Sequence, residues 1–180
     1  TVLANRGHAM DALGLPAEAL ATPHQVHSAR AVIVRSAEEI KGQKVDAVVT
    51  CQPGVPVGIL TADCAPILFC DPVAGVVASA HAGWKGARFG VAPAAVRAME
   101  CLGAKRHRII AAIGPTIGPQ SYEVGPEFTG HFLSENAGNA RFFHRPQGAA
   151  RAYFDLPGYL TAQLRGLGLK AVENLGADTV

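Results

Sequence analysis

Residues 60–86, LTADCAPILFCDPVAGVVASAHAGWKG, constrain the fold more than any other part of the chain. Two short apolar runs, Pro66–Cys70 and Val76–Ala80, are separated by the turn signal Asp71-Pro72, so they read as neighbouring strands. Val57–Thr61 reads as a strand before them. That places Cys64 just after one strand and His81 just after another, 81 − 64 = 17 positions apart. Small residues surround both: Ala62, Ala65, Ala80, Ala82 and Gly83. A thiol and an imidazole at strand ends mark either a packed core or a reactive centre.

The rest of the chain supplies further elements. Residues 4–13 read as a short helix closed by Gly14. Residues 23–35, rich in β-branched residues, read as extended, with His24 and His27 on opposite faces. Asp46–Thr50 reads as a strand. Phe89, Ala92, Val96, Met99 and Leu102 recur at helical spacing, with Gly103 at the cap and Pro93 signalling a kink or a late start near residue 92. Residues 108–114 read as a buried strand, Pro126–Leu133 and Leu156–Leu167 as helices, and Leu169–Glu173 as a last strand. Helices and strands neither alternate strictly nor segregate, which predicts a single α/β or α+β domain with mixed sheets over residues 1–180. A chain of 180 residues is long enough for one sizeable core.

Composition removes several classes of function. Hydrophobic residues make up 49% and charged residues 17%, with a net charge of +2, so a folded globule is expected and no basic stripe offers itself to nucleic acid or an anionic membrane. Aromatic residues are 6%, too few for a base-stacking platform. Cys51, Cys64, Cys70 and Cys101 show no framework spacing, which favours a reduced, cytoplasmic setting. No apolar run approaches the roughly 18 residues of a membrane span. The chain begins at Thr1 rather than Met, and the expectation is that its start has been trimmed.

Three extended segments end in metal-ligating side chains: His27, Cys64 and His81. Imidazole nitrogen and thiolate sulfur are zinc donors, and catalytic zinc sites use three protein ligands with a fourth position open. A buried Cys after a strand is equally an ordinary core residue. Cys64 also fits a nucleophile, with His81 as base and Asp63 or Asp46 as orienter. Spacing alone does not separate these readings. Cys70 sits within a strand and Cys101 on the apolar side of a helix, so neither is a candidate, and His8, His107, His131 and His144 read as solvated. GPTIGP at 114–119 is not a GxxxxGK[ST] loop and reads as a tight turn after a strand, a place where loops tend to line active sites.

Five motifs together, HQVHS (24–28), DAVVT (46–50), LTADCAPILFCDP (60–72), HAGWKG (81–86) and GPTIGPQSYEVG (114–125), resemble the YfiH, or laccase-domain, family in order and approximate spacing, over about residues 5–175. The resemblance implies a four-layer α/β sandwich with mixed β-sheets, and a zinc ion bound by His27, Cys64 and His81. It also implies phosphorolysis of adenosine, inosine, guanosine and methylthioadenosine, with adenosine deamination. Older names for the family imply a copper polyphenol oxidase or a cysteine hydrolase. A copper oxidase needs several ions and many His ligands, and of seven His only His27 and His81 are well placed. Zinc lowers the pKa of a bound water to about 7, which suits hydrolytic loss of an amino group. Asp63 is the nearest carboxylate for moving a proton. Gln25, Trp84, Lys85, Gly114 and Gly118 are the substrate-binding candidates: Trp84 to wall the base, Lys85 to meet phosphate, and the Gly114–Gly118 loop to offer backbone N–H donors.

The chain departs from the family pattern in two ways. Thr116, Gln120 and Ser121 stand where cysteines often occur, which leaves the three ligands untouched. The amino-terminal strand with its Asn-Leu-Gly motif and the carboxy-terminal Phe-Ser-Tyr-Arg-Arg region are missing. A non-enzyme alternative, a structural zinc or partner-binding module, would need a fourth protein ligand, and only three are found.

Overall fold

The computed structural model describes residues 1–180, apart from the side chains of residues 2 and 3. Its centre is the hairpin of β3 (Ala65–Asp71) and β4 (Val76–Ala82), in register from Ala65 opposite Ala82 to Asp71 opposite Val76. Asp71 builds the turn, because its carboxylate accepts the N–H groups of Val73 and Ala74 and Gly75 supplies the positive φ. β4 also pairs antiparallel with β2 (Ala47–Thr50), and β3 with β5 (Ile110–Ile113). The edges are parallel: β1 (Ala31–Ile33) beside β2 and β9 (Ala171–Asn174) beside β5, giving the mixed six-stranded order β1-β2-β4-β3-β5-β9.

Helix α1 spans Val2–Ala12 with Gly14 just past its end in the left-handed region. One face of the sheet is covered by α3 (Val91–Cys101), whose Val91, Ala92, Ala95, Val96 and Met99 are buried against it, and by α5 (Leu156–Gly166) through Leu156, Leu160 and Leu164. Ala47, Ala78, Ala80 and Ala82 keep that face shallow, so the helices approach closely. On the other face a small cluster of Ala21, Val34, Ile40, Val45 and Val48 covers β2, which is why all four residues of that strand are buried. Further along, the sheet face is open. Leu68 is 57% exposed and lines an apolar hollow with Val57, Val77, Ile110 and Ala112.

A second sheet, β6 (Glu123–Val124), β8 (Ala152–Phe154) and β7 (Phe143–His144), packs with α4 (Pro126–Leu133) around an aromatic cluster. Phe132 is its hub, with ring centroids of Trp84, Phe128, Phe143, Phe154 and Tyr159 between 4.8 and 6.5 Å away. The mixed α/β architecture with mixed sheets is as the sequence predicts.

Four local expectations are corrected. Val57–Thr61 is not a strand: Val57 makes one bridge to Ala21, and Leu60 exchanges both its backbone hydrogen bonds with the Gln25 amide side chain. Residues 23–35 are extended as a strand only at Ala31–Ile33, because the Val26, His27 and Ser28 N–H groups turn inward onto Asp46. His27 therefore has φ +58° and no strand alternation relates it to His24. The helical repeat from Phe89 is broken by Gly90 at φ +87°, which separates α2 (Trp84–Phe89) from α3 and leaves Phe89 58% exposed. Cys101 is likewise exposed at the end of α3. Among the described residues, no helix is long and apolar enough to cross a membrane.

Candidate metal centre

His27, Cys64 and His81 converge: one donor atom from each lies within 4.8 Å of the others, the one such cluster of His, Cys, Asp and Glu found among the described residues. Each arrives differently. Cys64 directly precedes β3 rather than following a strand, and His81 lies inside β4, one residue before its end. The sheet register places Cys64 next to the Ala65–Ala82 pair, so the two chain ends of the hairpin present Cys64 and His81 on one side. His27 comes from the turn over Asp46. Its Nε2 is 3.9 Å from Cys64 Sγ, and its ring meets the His81 ring edge-on at 4.7 Å between centroids.

Asp46 organises this arrangement. It is fully buried, and its Oδ1 accepts His81 Nδ1–H at 2.8 Å and the His27 N–H at 3.0 Å. Its Oδ2 accepts the Ser28 N–H, the Ser28 hydroxyl and the Val26 N–H. Burial alone would raise its pKa, but the hydrogen bonds from His81, Ser28 and Val26 hold it below the usual carboxylate range. Of the two orienters open from sequence, Asp46 is the one that touches His81. Asp63 instead accepts the Thr179 hydroxyl at 3.0 Å. Burial, with the charges of Asp63 and Asp46 adding, pushes the Cys64 thiol up, the reverse of what an activated nucleophile needs.

Gly83 leaves room for the side chains of Cys64 and His27, one of which would have to shift to admit a Cβ. A Cβ there would lie 2.9 Å from Cys64 Sγ and 3.0 Å from His27 Cδ2. The donor set, two imidazoles and a thiolate, suits a borderline-soft divalent ion such as zinc, and three protein ligands leave a coordination position free.

Beside the ligands opens a cleft of about 220 Å³ lined by Asp63, Cys64, Trp84, Ile117, Tyr122 and Leu156. Larger hollows of about 350 and 390 Å³ lie by the loop 116–120 and on the open sheet face, and neither is lined by His27, Cys64 or His81. Burial, with Cys64 adding, pushes the Tyr122 phenol up to about 12, so at neutral pH it is protonated and a donor.

The remaining sequence candidates fare unevenly. Trp84 lines the cleft, and exposed Lys85 holds its Nζ 5.6 Å from the Trp84 ring centroid. Gln25 is spent on Leu60. The 114–118 loop does not offer the free N–H donors expected: Gly114 donates to Pro66, Thr116 to Ala177, Ile117 to Asp63 and Gly118 to the Asp178 carboxylate. Sequence reasoning passed over Ser28 and Tyr122, and read His131 as solvated, which its exposure bears out. The first two lie inside motifs already singled out, and His131 shares a helical face with Phe128 and stacks on Trp84 at 5.9 Å.

Fold and site thus define a mixed α/β domain in which His27, Cys64 and His81 could together hold a metal ion, with Cys64 also lining a small cleft. The chain belongs to the family described as multi-copper polyphenol oxidoreductase laccase, whose model matches residues 1–180. It is 40% identical over 168 residues to a purine nucleoside phosphorylase of Deinococcus radiodurans, covering 93% of this chain and 64% of that protein. It is 35% identical to adenosine deaminase RL5 of an unknown prokaryotic organism, covering 88% and 64%. Among solved structures, the hypothetical protein YfiH of Bacillus licheniformis superposes with a TM-score of 0.87 at 25% identity, covering 99% of this chain and 71% of that one. The chain therefore spans just under two thirds of the length of these two curated relatives.

Proposed function

We propose that the protein is a zinc-dependent purine nucleoside phosphorylase, acting on adenosine, inosine, guanosine and methylthioadenosine, that also deaminates adenosine, and that it works in the cytoplasm. The observation that carries this reading is the convergence of His27, Cys64 and His81, of which Cys64 also lines a cleft with Trp84 and Tyr122. The activities after which the two relatives are named point the same way. A single three-ligand cluster supports zinc over a multi-copper oxidase, which needs several ions.

His27, Cys64 and His81 would hold the zinc, which supplies Lewis acidity for polarising an oxygen or a water. The residues of the chain bind and orient. The Trp84 indole and the Tyr122 ring enclose a flat purine, and the Tyr122 hydroxyl donates to an acceptor on it. In phosphorolysis a phosphate oxygen bonds to ribose C1′ as the C1′–N9 bond breaks, and its electron pair passes to the purine, which takes up a proton. With the 114–118 amides committed elsewhere, Lys85 is the charge left to meet phosphate. In deamination a water oxygen adds at purine C6 and ammonia leaves, and the Asp63 carboxylate at the cleft rim carries the proton between them.

The test is incubation of the zinc-loaded protein with adenosine or inosine, with and without phosphate, followed by chromatography. Free base and ribose 1-phosphate are expected only with phosphate and not in Cys64→Ala, and inosine is expected from adenosine. No turnover of any purine nucleoside by the metal-loaded protein would overturn the reading.

A further inference from the structure

We propose that Asp46 is a positioning residue that fixes which nitrogen of His81 faces the metal and holds His27 in its left-handed turn, so that its carboxylate governs metal affinity. The inference rests on the metal-centre reading above and extends it from the three ligands to the group behind them.

Asp46 is 0% exposed, and all five of its short polar contacts come from donors: His81 Nδ1, the N–H groups of Val26, His27 and Ser28, and the Ser28 hydroxyl. An ionised carboxylate only accepts, so the His81 proton must sit on Nδ1, and Nε2 is left with a bare lone pair. A neutral imidazole nitrogen with a lone pair is what a metal requires, and the hydrogen bond made by the other nitrogen decides which one it is. The same Oδ1 that fixes His81 takes the N–H of His27, whose φ of +58° is uncommon for any residue other than glycine. One buried atom thus sets the tautomer of one ligand and the backbone pose of another.

Asparagine keeps the shape and reverses half of the chemistry. Its NH2 group, turned either way, meets donors. Facing His81 it would donate to Nδ1 and drive the ring proton onto Nε2, the nitrogen the metal needs bare; facing Ser28 it confronts two backbone N–H groups. Either orientation weakens the site without altering any ligand.

The test has two arms. In the first, zinc affinity is measured by competition with a chromophoric chelator for wild type, Asp46→Asn and Asp71→Asn, the last being the same change at a buried carboxylate remote from the ligands. Asp46→Asn is expected to bind zinc about 10–100-fold more weakly, and Asp71→Asn to match wild type. In the second arm, long-range 1H–15N correlation of the metal-free wild type reads the His81 tautomer directly, so a variant that fails to fold does not remove the test. A proton on Nδ1 with Nε2 bare is the expected result. An Nε2–H tautomer, wild-type zinc affinity in Asp46→Asn, or a wild type that takes up no zinc would each overturn the proposal. A protein that binds zinc and turns over no nucleoside would sink the proposed reaction and leave the role of Asp46 standing.

Discussion

At the scale of single residues, the metal centre tolerates little added volume. Gly83 has φ −68° and ψ 170°, a backbone any residue adopts, so its identity is dictated by space alone. Gly83→Ala is expected to leave the thermal midpoint near wild type, while its Cβ presses on Cys64 and His27 and shifts them by a few tenths of an ångström or more. Metal–ligand bonds are held to narrow distances, so weakened zinc binding with a preserved fold is the outcome to look for by chelator competition and calorimetry. Wild-type zinc affinity in this variant would mean that the three side chains meet elsewhere. The three residues were legible in the sequence from their donor types and the family resemblance, but the local geometry that brings them together was not. It depends on the turn at His27, which exists because Asp46, 19 positions away, draws the N–H inward, and no local pattern reports that.

At the scale of elements, α4 is the brace behind the cleft. Phe132 is fully buried, touches five other aromatic rings and includes Trp84 among them. Phe132→Ala should cost about 3–5 kcal/mol, at about 2–4 °C of midpoint per kcal/mol for a chain of this size. Trp84 should lose its fixed pose as well, seen as a red-shifted, more quenchable indole emission. A midpoint within a degree or two of wild type would show that the cluster repacks. Helix α4 was readable to the residue because Gly125-Pro126 starts it and the apolar residues keep period. The supposed strand Val57–Thr61 misled because its residue types suit a strand, whereas its neighbour is a side-chain amide, Gln25, that imitates a strand's hydrogen bonds.

At the scale of the whole molecule, acid sensitivity gathers where β3 ends. Burial by itself would raise the Asp71 pKa, but the N–H groups of Lys105, Ala74 and Val73 and the Arg108 guanidinium hold it down to about 2. The unfolded chain takes up that proton near ~3.9. A depressed folded pKa means a contribution complete above about pH 4 that is lost as pH falls toward 2. Urea midpoints followed down through this range should drop more steeply in wild type than in Asp71→Asn, and parallel curves would show that Asp71 is not the group responsible. The mixed sheet itself was foreseeable from the short apolar runs and their turns. The strand order was not, because β5 reaches β3, and β9 reaches β5, only after intervening segments that carry no mark of their destination. That order has a consequence for how the chain is made. His27, Asp46, Cys64 and His81 all fall in the first half of the sequence, whereas Ile117, Tyr122 and Leu156 of the cleft's far wall fall in the second. A ribosome working from the amino terminus releases His27, Asp46, Cys64 and His81 before any residue of that wall has been synthesised.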